Sequence, residues 1–216
     1  MKRLIIVCEG QTEHEFCKDV LYNSLKNNFD TLDFPLVKHS GGGIVPWRKL
    51  KEQIIRHLQE SNSFVTTFID YYGIPDDFCF PQWESSKQIA GIFDRIKFLE
   101  DAMLRDLPEN VRYRFIPYIQ IHEFEALLFS NIDVFKDNFD EDSIKFAQLQ
   151  DAVSSFPSPE HINNGRATAP SKRLQRAVPD YNKVIFGNCI AIDIGLETMR
   201  KKCQHFNQWL EKLENI

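Results

Sequence analysis

The sequence predicts an α/β protein with a mostly parallel four-stranded sheet, helices on both faces of the sheet, and a helical C-terminal extension. Residues 2–8 (KRLIIVC) contain an apolar run that is typical of a strand buried on both faces of a parallel sheet. Strand-like and helix-like segments then alternate to about residue 130, as crossover connections between parallel strands require. After residue 130 the pattern becomes mainly helical.

The first half of the sheet follows from local signals. Thr12 and Glu15 have the spacing of a capping box, which predicts that a helix begins after the first strand. A second strand is predicted over residues 33–38, and the glycine run Gly41–Gly43 follows it. Pro46 suits the first position of the next helix, because a backbone N–H would be unpaired there anyway.

The second half repeats this order. Residues 64–69 (FVTTFI) predict the third strand, and the apolar spacing within residues 83–105 predicts a helix. Residues 112–121 predict the fourth strand, in which Pro117 indicates an edge position or a bulge because proline cannot donate to the ladder. Residues 122–129 (HEFEALLF) are predicted to open another helix.

The chain is predicted to divide into an α/β core over residues 1–130 and a helical extension over residues 131–216. Because no clean linker separates the two parts, the extension is expected to pack on the sheet. Its last helix is predicted over residues 193–214, where apolar residues recur at helical spacing.

Composition excludes several classes of protein. The formal net charge of -5 argues against a chain that is polycationic throughout, although it leaves room for a local basic strip. Five cysteines without a CxxC pair predict reduced thiols rather than a disulfide framework or a zinc site. The sequence has no long apolar run and no signal-peptide core, so we expect no membrane span and a cytoplasmic location. It also lacks the GxxxxGK[ST], GxGxxG and GxSxG motifs.

Acidic residues follow three of the four predicted strands. Because the carboxyl ends of parallel strands meet at one edge of a sheet, where open α/β folds bind ligands, we expect one acidic cluster there. Carboxylate oxygens suit Mg²⁺ or Mn²⁺, and the HExE spacing does not match the HExxH of zinc proteases. The alternative is that each acid is an ordinary turn residue or helix cap. The candidate metal ligands are Glu9, Asp70, Glu123 and Glu125, and the candidate substrate-binding residues beside them are Gly10, Thr12 and His122.

A basic group lies in the stretch NNGRATAPSKRLQR. Lys172, Arg173 and Arg176 are predicted to share a short helix that begins after a proline, with Arg166 in the preceding loop. Close to a metal they would hold a phosphate backbone, with Lys172 and Arg173 stabilising charge on the reacting phosphate. The alternative is a solvated helix face.

The segment IIVCEGQTE resembles the opening motif of Toprim domains, hhhEG, and especially the VEGxTE form of the overcoming-lysogenization-defect (OLD) nucleases. Asp70, which follows FVTTFI, resembles the acidic residue of the second Toprim motif. Nearly the whole chain resembles a prokaryotic Toprim-like family of unknown function. The blocks that carry this resemblance are VTTFIDYYGIP, YIQIHEFEALLF, SPEHIN and TAPSKRL.

The resemblance implies a Mg²⁺-dependent nuclease or phosphodiesterase acting on nucleic acid, often beside an ATPase partner in phage defence. Glu9 would act in acid/base chemistry or help to hold the metal, and Asp70 would bind Mg²⁺. The usual second motif is DxD, whereas this sequence reads Asp70-Tyr71-Tyr72 and lacks the second metal-binding Asp.

Four other acids are candidates to replace the missing Asp, namely Glu123, Glu125, Asp76 and Asp77. If none of them does, the alternative is a non-catalytic metal-binding regulatory subunit of an ATPase partner. A third reading is a Mg²⁺-dependent phosphotransfer on a small phosphorylated substrate.

Overall fold

The computed structural model describes residues 1–38, 43–140, 142–162, 165 and 167–216. Its described residues form an α/β fold around one parallel sheet, which confirms the predicted class. The strand order is β2-β1-β3-β4, and β5 also pairs with β3. The strands are β1 (Arg3–Cys8), β2 (Thr31–Asp33), β3 (Ser63–Asp70), β4 (Phe115–Ile116) and β5 (Ile119–Gln120).

The central strand β1 is apolar throughout because both of its faces are covered. Leu4, Ile6 and Cys8 belong to one hydrophobic core, whereas Ile5 and Val7 belong to the core on the opposite face of the sheet. All five side chains are fully buried. This alternation between two cores is the physical reason that the strand does not alternate between apolar and polar residues.

The predicted fourth strand is two short strands, and the sheet ends with it, as the proline indicated. Pro117 separates β4 from β5, since it has no N–H to give to the ladder. At the break, the Thr67 hydroxyl accepts a hydrogen bond from the Tyr118 N–H (3.1 Å) and donates one to the Tyr118 carbonyl (2.8 Å). A side chain therefore replaces the interrupted backbone pairing.

The second strand is shorter than predicted and begins earlier. β2 ends at Asp33, and Pro35 then interrupts regular pairing because it cannot donate. The chain nevertheless continues beside β1, since the Cys8 N–H donates to the Pro35 carbonyl (2.9 Å) and the Val37 N–H donates to the Cys8 carbonyl (2.8 Å). Of the predicted glycine run, Gly41 and Gly42 lie outside the described residues.

Helices cover both faces of the sheet. The helices are α1 (Gln11–Phe16), α2 (Tyr22–Leu25), α3 (Trp47–Leu58), α4 (Trp83–Ser86), α5 (Ile92–Asp106), α6 (Glu109–Arg112), α7 (Val134–Asn138), α8 (Phe146–Ser154), α9 (Pro170–Ala177), α10 (Ile185–Ile194), α11 (Leu196–Lys202) and α12 (Gln204–Glu214). A π-helical turn, Cys17–Leu21, joins α1 to α2. On one face α3, α4 and α5 bury their apolar sides, and on the other face α1 and α2 pack with helices from the C-terminal part. The described side chains of residues 131–216 thus share a core with those of β1 and β3.

Several predicted helices have different boundaries. The helix predicted over residues 83–105 is two helices, α4 and α5, and the helix predicted over 193–214 is broken at Cys203 between α11 and α12. Residues 122–129 do not open an α-helix, because a fully buried 3₁₀ segment, Phe124–Ser130, takes their place. Within the described ranges, no helix is both long enough and apolar enough to span a bilayer.

The start of α1 also differs from the prediction. Gly10, not Thr12, is the N-cap residue, and the Glu13 carboxylate accepts a hydrogen bond from the Gly10 N–H at 2.9 Å. Thr12 is buried within the first turn, with 1% of its surface exposed. The capping box predicted from Thr12 and Glu15 was therefore displaced by two residues, and the displacement turns Glu13 towards the end of β1.

Candidate functional site

The carboxyl edge of the sheet brings Glu9 and Asp70 together. Glu9 directly follows β1, Asp70 is the last residue of β3, and the two strands are parallel neighbours. The Glu9 N–H donates to the Phe68 carbonyl, and the Glu9 side-chain Oε2 accepts a hydrogen bond from the Asp70 N–H, both at 2.9 Å. The backbone of one strand therefore orients the carboxylate at the end of the other.

The segment after β5 is attached to the same edge. The Phe124 N–H donates to Asp70 Oδ1 at 2.9 Å, and the Tyr72 N–H donates to the His122 carbonyl at 2.7 Å. His122 has a φ of 64°, a left-handed conformation that turns the chain sharply and that is uncommon for a residue with a side chain. These contacts hold the segment that carries Glu125 beside the end of β3.

Four carboxylates and one lysine meet at this edge. We call Glu9, Glu13, Asp70 and Glu125 the acidic cluster; electrostatic interactions link these four groups to one another and to Lys183. Lys183 Nζ lies 3.9 Å from Glu13 Oε1 and 3.9 Å from Glu125 Oε1. Neither Glu13 Oε1 nor either oxygen of Glu125 has a hydrogen-bond partner among the residues that the structure describes.

The pKa values of Glu9, Asp70 and Glu125 are raised, chiefly by burial. Burial raises the pKa of Glu9 to about 7, with the Glu13 charge adding to the effect and the Asp70 N–H and Lys183 opposing it. Burial likewise raises the pKa of Glu125 to about 7, against the attraction of Lys183. The pKa of Asp70 is raised well above its usual range by burial and by the charges of Glu13 and Glu9. Desolvation acts to lower the pKa of Lys183, but the surrounding carboxylates outweigh it and raise that pKa.

Glu123 lies next to the acidic cluster but has a different partner. Its two oxygens accept hydrogen bonds from the N–H (2.9 Å) and the hydroxyl (3.0 Å) of Ser171, in the first turn of α9. A carboxylate at that position satisfies a backbone N–H that the helix leaves unpaired and interacts favourably with the helix dipole. The structure therefore places Glu123 as a cap for α9, a helix remote in the chain, rather than for a helix that begins at its own segment.

The predicted basic residues are placed mostly in local contacts. Lys172 donates to the Gln175 side chain at 3.1 Å, and Arg173 donates to the Thr168 carbonyl at 2.8 Å with its guanidinium over the Phe156 ring. Arg176 is exposed on the same helix. The fourth predicted residue, Arg166, lies outside the described residues.

The remaining candidates have different surroundings. The Gly10 N–H binds Glu13, so Gly10 helps to orient a member of the acidic cluster. His122 is buried, and burial together with the charge of His161 lowers its pKa to about 4, so its imidazole is neutral near pH 7. Asp76, a candidate for the missing second Asp, accepts hydrogen bonds or ion pairs from Trp83 and Lys87.

The acidic cluster offers the chemistry of a metal site without a ready-made set of ligands. Within the described part of the chain, no three His, Cys, Asp or Glu side chains stand ready to hold one as they are placed. The chemistry of the donor set nevertheless suits a hard cation, because every member of the acidic cluster offers oxygen. The three unpartnered buried oxygens of Glu13 and Glu125 are also groups that a cation would satisfy.

Sequence reasoning missed two members of this arrangement, Glu13 and Lys183. Glu13 lies within the EGQTE motif, and its position one helical turn after Glu9 is a signal that could have identified it. Lys183 carries no comparable signal, because it approaches from the segment before α10.

The fold and the site define a parallel α/β protein with a buried carboxylate cluster, paired with a lysine, at the carboxyl edge of its sheet. A family model described as domain of unknown function (DUF4276) matches residues 8–214, and the chain belongs to this family. No curated protein and no solved structure gives a significant match.

Proposed function

We propose that the protein is a Toprim-like nuclease or phosphodiesterase that uses Mg²⁺ or Mn²⁺ and acts on nucleic acid, with phage defence beside an ATPase partner as its setting. The observation that carries this proposal is the buried carboxylate of Glu125, which has no hydrogen-bond partner among the described residues and points into the acidic cluster. The resemblance of the EGQTE segment and of Asp70 to Toprim motifs supports the same class.

The electrostatics of the acidic cluster favour a divalent cation. Four carboxylates interact with one lysine, so a single positive charge leaves the site short of neutrality when the carboxylates are ionised. Asp70 and Glu125, with Glu13, would hold the cation through oxygen. A bound Mg²⁺ would polarise a phosphate and lower the pKa of a bound water.

Glu9 and Lys183 have the properties of reacting groups. Asp70 N–H holds one Glu9 oxygen, and a pKa of about 7 lets Glu9 accept a proton from an attacking water near neutral pH. Lys183 keeps its charge, because the carboxylates raise its pKa, and 45% of its side chain is exposed to an incoming phosphate. It therefore takes the phosphate-stabilising role that the sequence assigned to Lys172 and Arg173.

A second function is favoured by one observation. The ammonium of Lys183 lies 3.9 Å from two carboxylates and already supplies part of the charge that a metal would supply. Under this reading the acidic cluster is a structural or regulatory element, and the protein is a non-catalytic subunit of an ATPase partner. Co-purification with an ATPase, together with unchanged function of an Asp70→Asn variant in the assembled complex, would favour it.

Cleavage assays separate the two functions. Single- and double-stranded DNA and RNA are incubated with Mg²⁺ or Mn²⁺ and the wild type, Glu9→Gln or Asp70→Asn. Glu160→Gln is the matched control, because Glu160 is a buried carboxylate that caps α12 through the N–H groups of His205 and Phe206, outside the acidic cluster. We expect cleavage by the wild type and the control and its loss in both cluster variants. Equal cleavage by all four proteins, or by none, contradicts the nuclease proposal.

A further inference from the structure

Four basic side chains line one shallow depression on the outer side of α3, although the chain carries a net charge of -5. The depression has a volume of about 260 Å³, and Glu52 and Gln53 complete its lining. We call the four exposed residues Lys38, Arg48, Lys49 and Arg56 the α3 basic surface. Glu52 lies 4.0 Å from Arg48, so four positive charges meet one negative charge here.

Packing of α3 forces this surface outwards. Its opposite side buries Trp47, Leu50, Ile54 and Leu58 in the core below the sheet. Arg48 and Arg56 are eight residues apart and lie on one face, with a separation along the helix axis of about 12 Å. The basic face cannot rotate away from solvent without exposing the apolar side of the helix.

Gln53 attaches the fourth cation to the helix. Its Oε1 accepts a hydrogen bond from the Lys38 N–H at 2.9 Å, and its Nε2 donates to the Leu36 carbonyl at 3.0 Å. Gln53 itself is buried, and both bonds are partly buried. A buried side chain with both ends paired fixes the segment before residue 39 against α3.

The pKa of the neighbouring His57 side chain is affected by the charges around the end of α3. The pKa of His57 is lowered first by burial and then by the positive charges of Lys38 and Arg3, with Arg56 adding to the effect. Glu60 acts in the opposite direction and does not reverse it. Positive charge therefore dominates around the end of α3.

The α3 basic surface begins beside the acidic cluster. The Val37 N–H donates to the Cys8 carbonyl at 2.8 Å, Lys38 follows Val37, and Glu9 follows Cys8. One end of the surface thus lies at the same carboxyl edge of the sheet as Glu9. A polyanion bound along α3 would be repelled by the carboxylates alone, but Lys183 and a divalent cation would offset that repulsion.

We propose that the α3 basic surface binds the phosphate backbone of a nucleic-acid strand and leads that strand to the acidic cluster. The proposal rests on the proposed function and identifies the surface that its substrate follows. The separation of about 12 Å between Arg48 and Arg56 is long enough for the two side chains to contact different phosphates of one strand. Contacts to phosphate carry no sequence information, so binding is independent of base sequence.

Binding is measured without cleavage. Fluorescence anisotropy follows labelled single-stranded DNA and RNA of mixed sequence in EDTA, over a range of salt concentrations, with the wild type, R48Q/R56Q and K201Q/K202Q, whose two lysines are exposed on α11. The two double variants remove the same charge from exposed positions of two helices, so the second is the matched control. We expect R48Q/R56Q to weaken binding about tenfold and to reduce the salt slope by about 1.4, at about 0.7 for each phosphate contact of a single strand.

The control is expected to bind within about twofold of the wild type, and the DNA and RNA arms show which backbone is preferred. Equal weakening by both double variants, no weakening by R48Q/R56Q, or no binding by the wild type overturns the proposal. E9Q separates it from the proposed function, because E9Q removes the proposed general base and one repelling carboxylate but none of the α3 cations, so it should bind at least as tightly as the wild type. If the wild type binds through the α3 basic surface but never cleaves, only the proposed function is wrong. If E9Q alone loses cleavage and R48Q/R56Q binds as the wild type does, only the proposal for the α3 basic surface is wrong.

Discussion

Glu125→Gln should make the metal-free protein less sensitive to alkaline pH. Glu125 is almost completely buried, with 1% of its surface exposed, and burial is the largest cause of its raised pKa of about 7. When the pKa of an acid is higher in the folded state than in the unfolded state, ionising the acid costs more free energy in the folded state. The fold is therefore less stable at a pH where the acid must ionise. Glutamine has nearly the same shape and does not ionise.

The magnitude follows from the difference between the ordinary pKa of 4.5 and the folded value of about 7. At about 1.4 kcal/mol for each pH unit, ionisation of Glu125 costs about 3.5 kcal/mol once the pH exceeds both values. The penalty is absent below pH 4.5, develops as the pH rises to about 7 and is constant above it. About 2.5 kcal/mol of it develops between pH 5 and pH 8.

The assay is urea unfolding in EDTA at pH 5 and pH 8, followed by circular dichroism. The quantity of interest is the change in unfolding free energy between the two pH values, because an unpartnered amide or carboxylic acid at this position costs a similar amount at pH 5. We expect the wild type to lose about 2.5 kcal/mol more than Glu125→Gln on going to pH 8. The melting temperature of the variant relative to that of the wild type should therefore be about 5 to 10 °C higher at pH 8 than at pH 5.

Glu160→Gln is the comparison for a buried carboxylate outside the acidic cluster: burial raises the pKa of Glu160 as well, but the N–H groups of His205 and Phe206 oppose the rise, so its effect between pH 5 and pH 8 should be smaller than that of Glu125→Gln. The same loss of stability between pH 5 and pH 8 in the wild type and in Glu125→Gln would refute the reasoning. Such a result would mean that Glu125 reaches solvent or a partner that stabilises its charge.

Three further predictions concern neighbouring residues. Lys183→Met removes a cation that lowers the pKa of Glu9, so the rise of kcat/KM with pH should move above its wild-type midpoint near 7; an unchanged pH–rate profile argues against the assigned role. Glu123→Ala should cost about 0.5 to 2 kcal/mol in urea unfolding by uncapping α9, while Glu123→Gln recovers part of that loss; equal stability of all three proteins would show that the cap contributes nothing. Thr67→Val should cost about 1 to 3 kcal/mol, because the N–H and carbonyl of Tyr118 both lose their partner; a loss below 0.5 kcal/mol in thermal or urea unfolding would contradict this.

The elements that could be predicted from the sequence are those with a strong local cause. A strand buried on both faces must be apolar throughout, so β1 was visible as a continuous run. Pro117 cannot donate to a ladder, so it marked the edge strand and its interruption. The helix ends were less visible, because the breaks at Cys203 and between α4 and α5 depend on how the segments pack.

The acidic site divides in the same way. Glu9 and Asp70 follow parallel strands, and the chain direction alone places such residues at one edge of the sheet, so their meeting was predictable. Whether a carboxylate at that edge has a hydrogen-bond partner depends on the tertiary structure. Glu123 and Glu125 are two residues apart, yet Glu123 caps α9 and Glu125 has no hydrogen-bond partner within the described chain.

By itself, the sequence determined a parallel α/β fold and an acidic edge beginning at Glu9, since strand burial and strand direction are properties of local pattern. The tertiary structure decided which side chains complete that edge. It displaced the cap of α1 to Gly10, which turned Glu13 inwards, and it brought Lys183 from a distant segment to within 3.9 Å of two carboxylates. Contacts between residues remote in the chain depend on packing of the whole fold, and no local pattern encodes them.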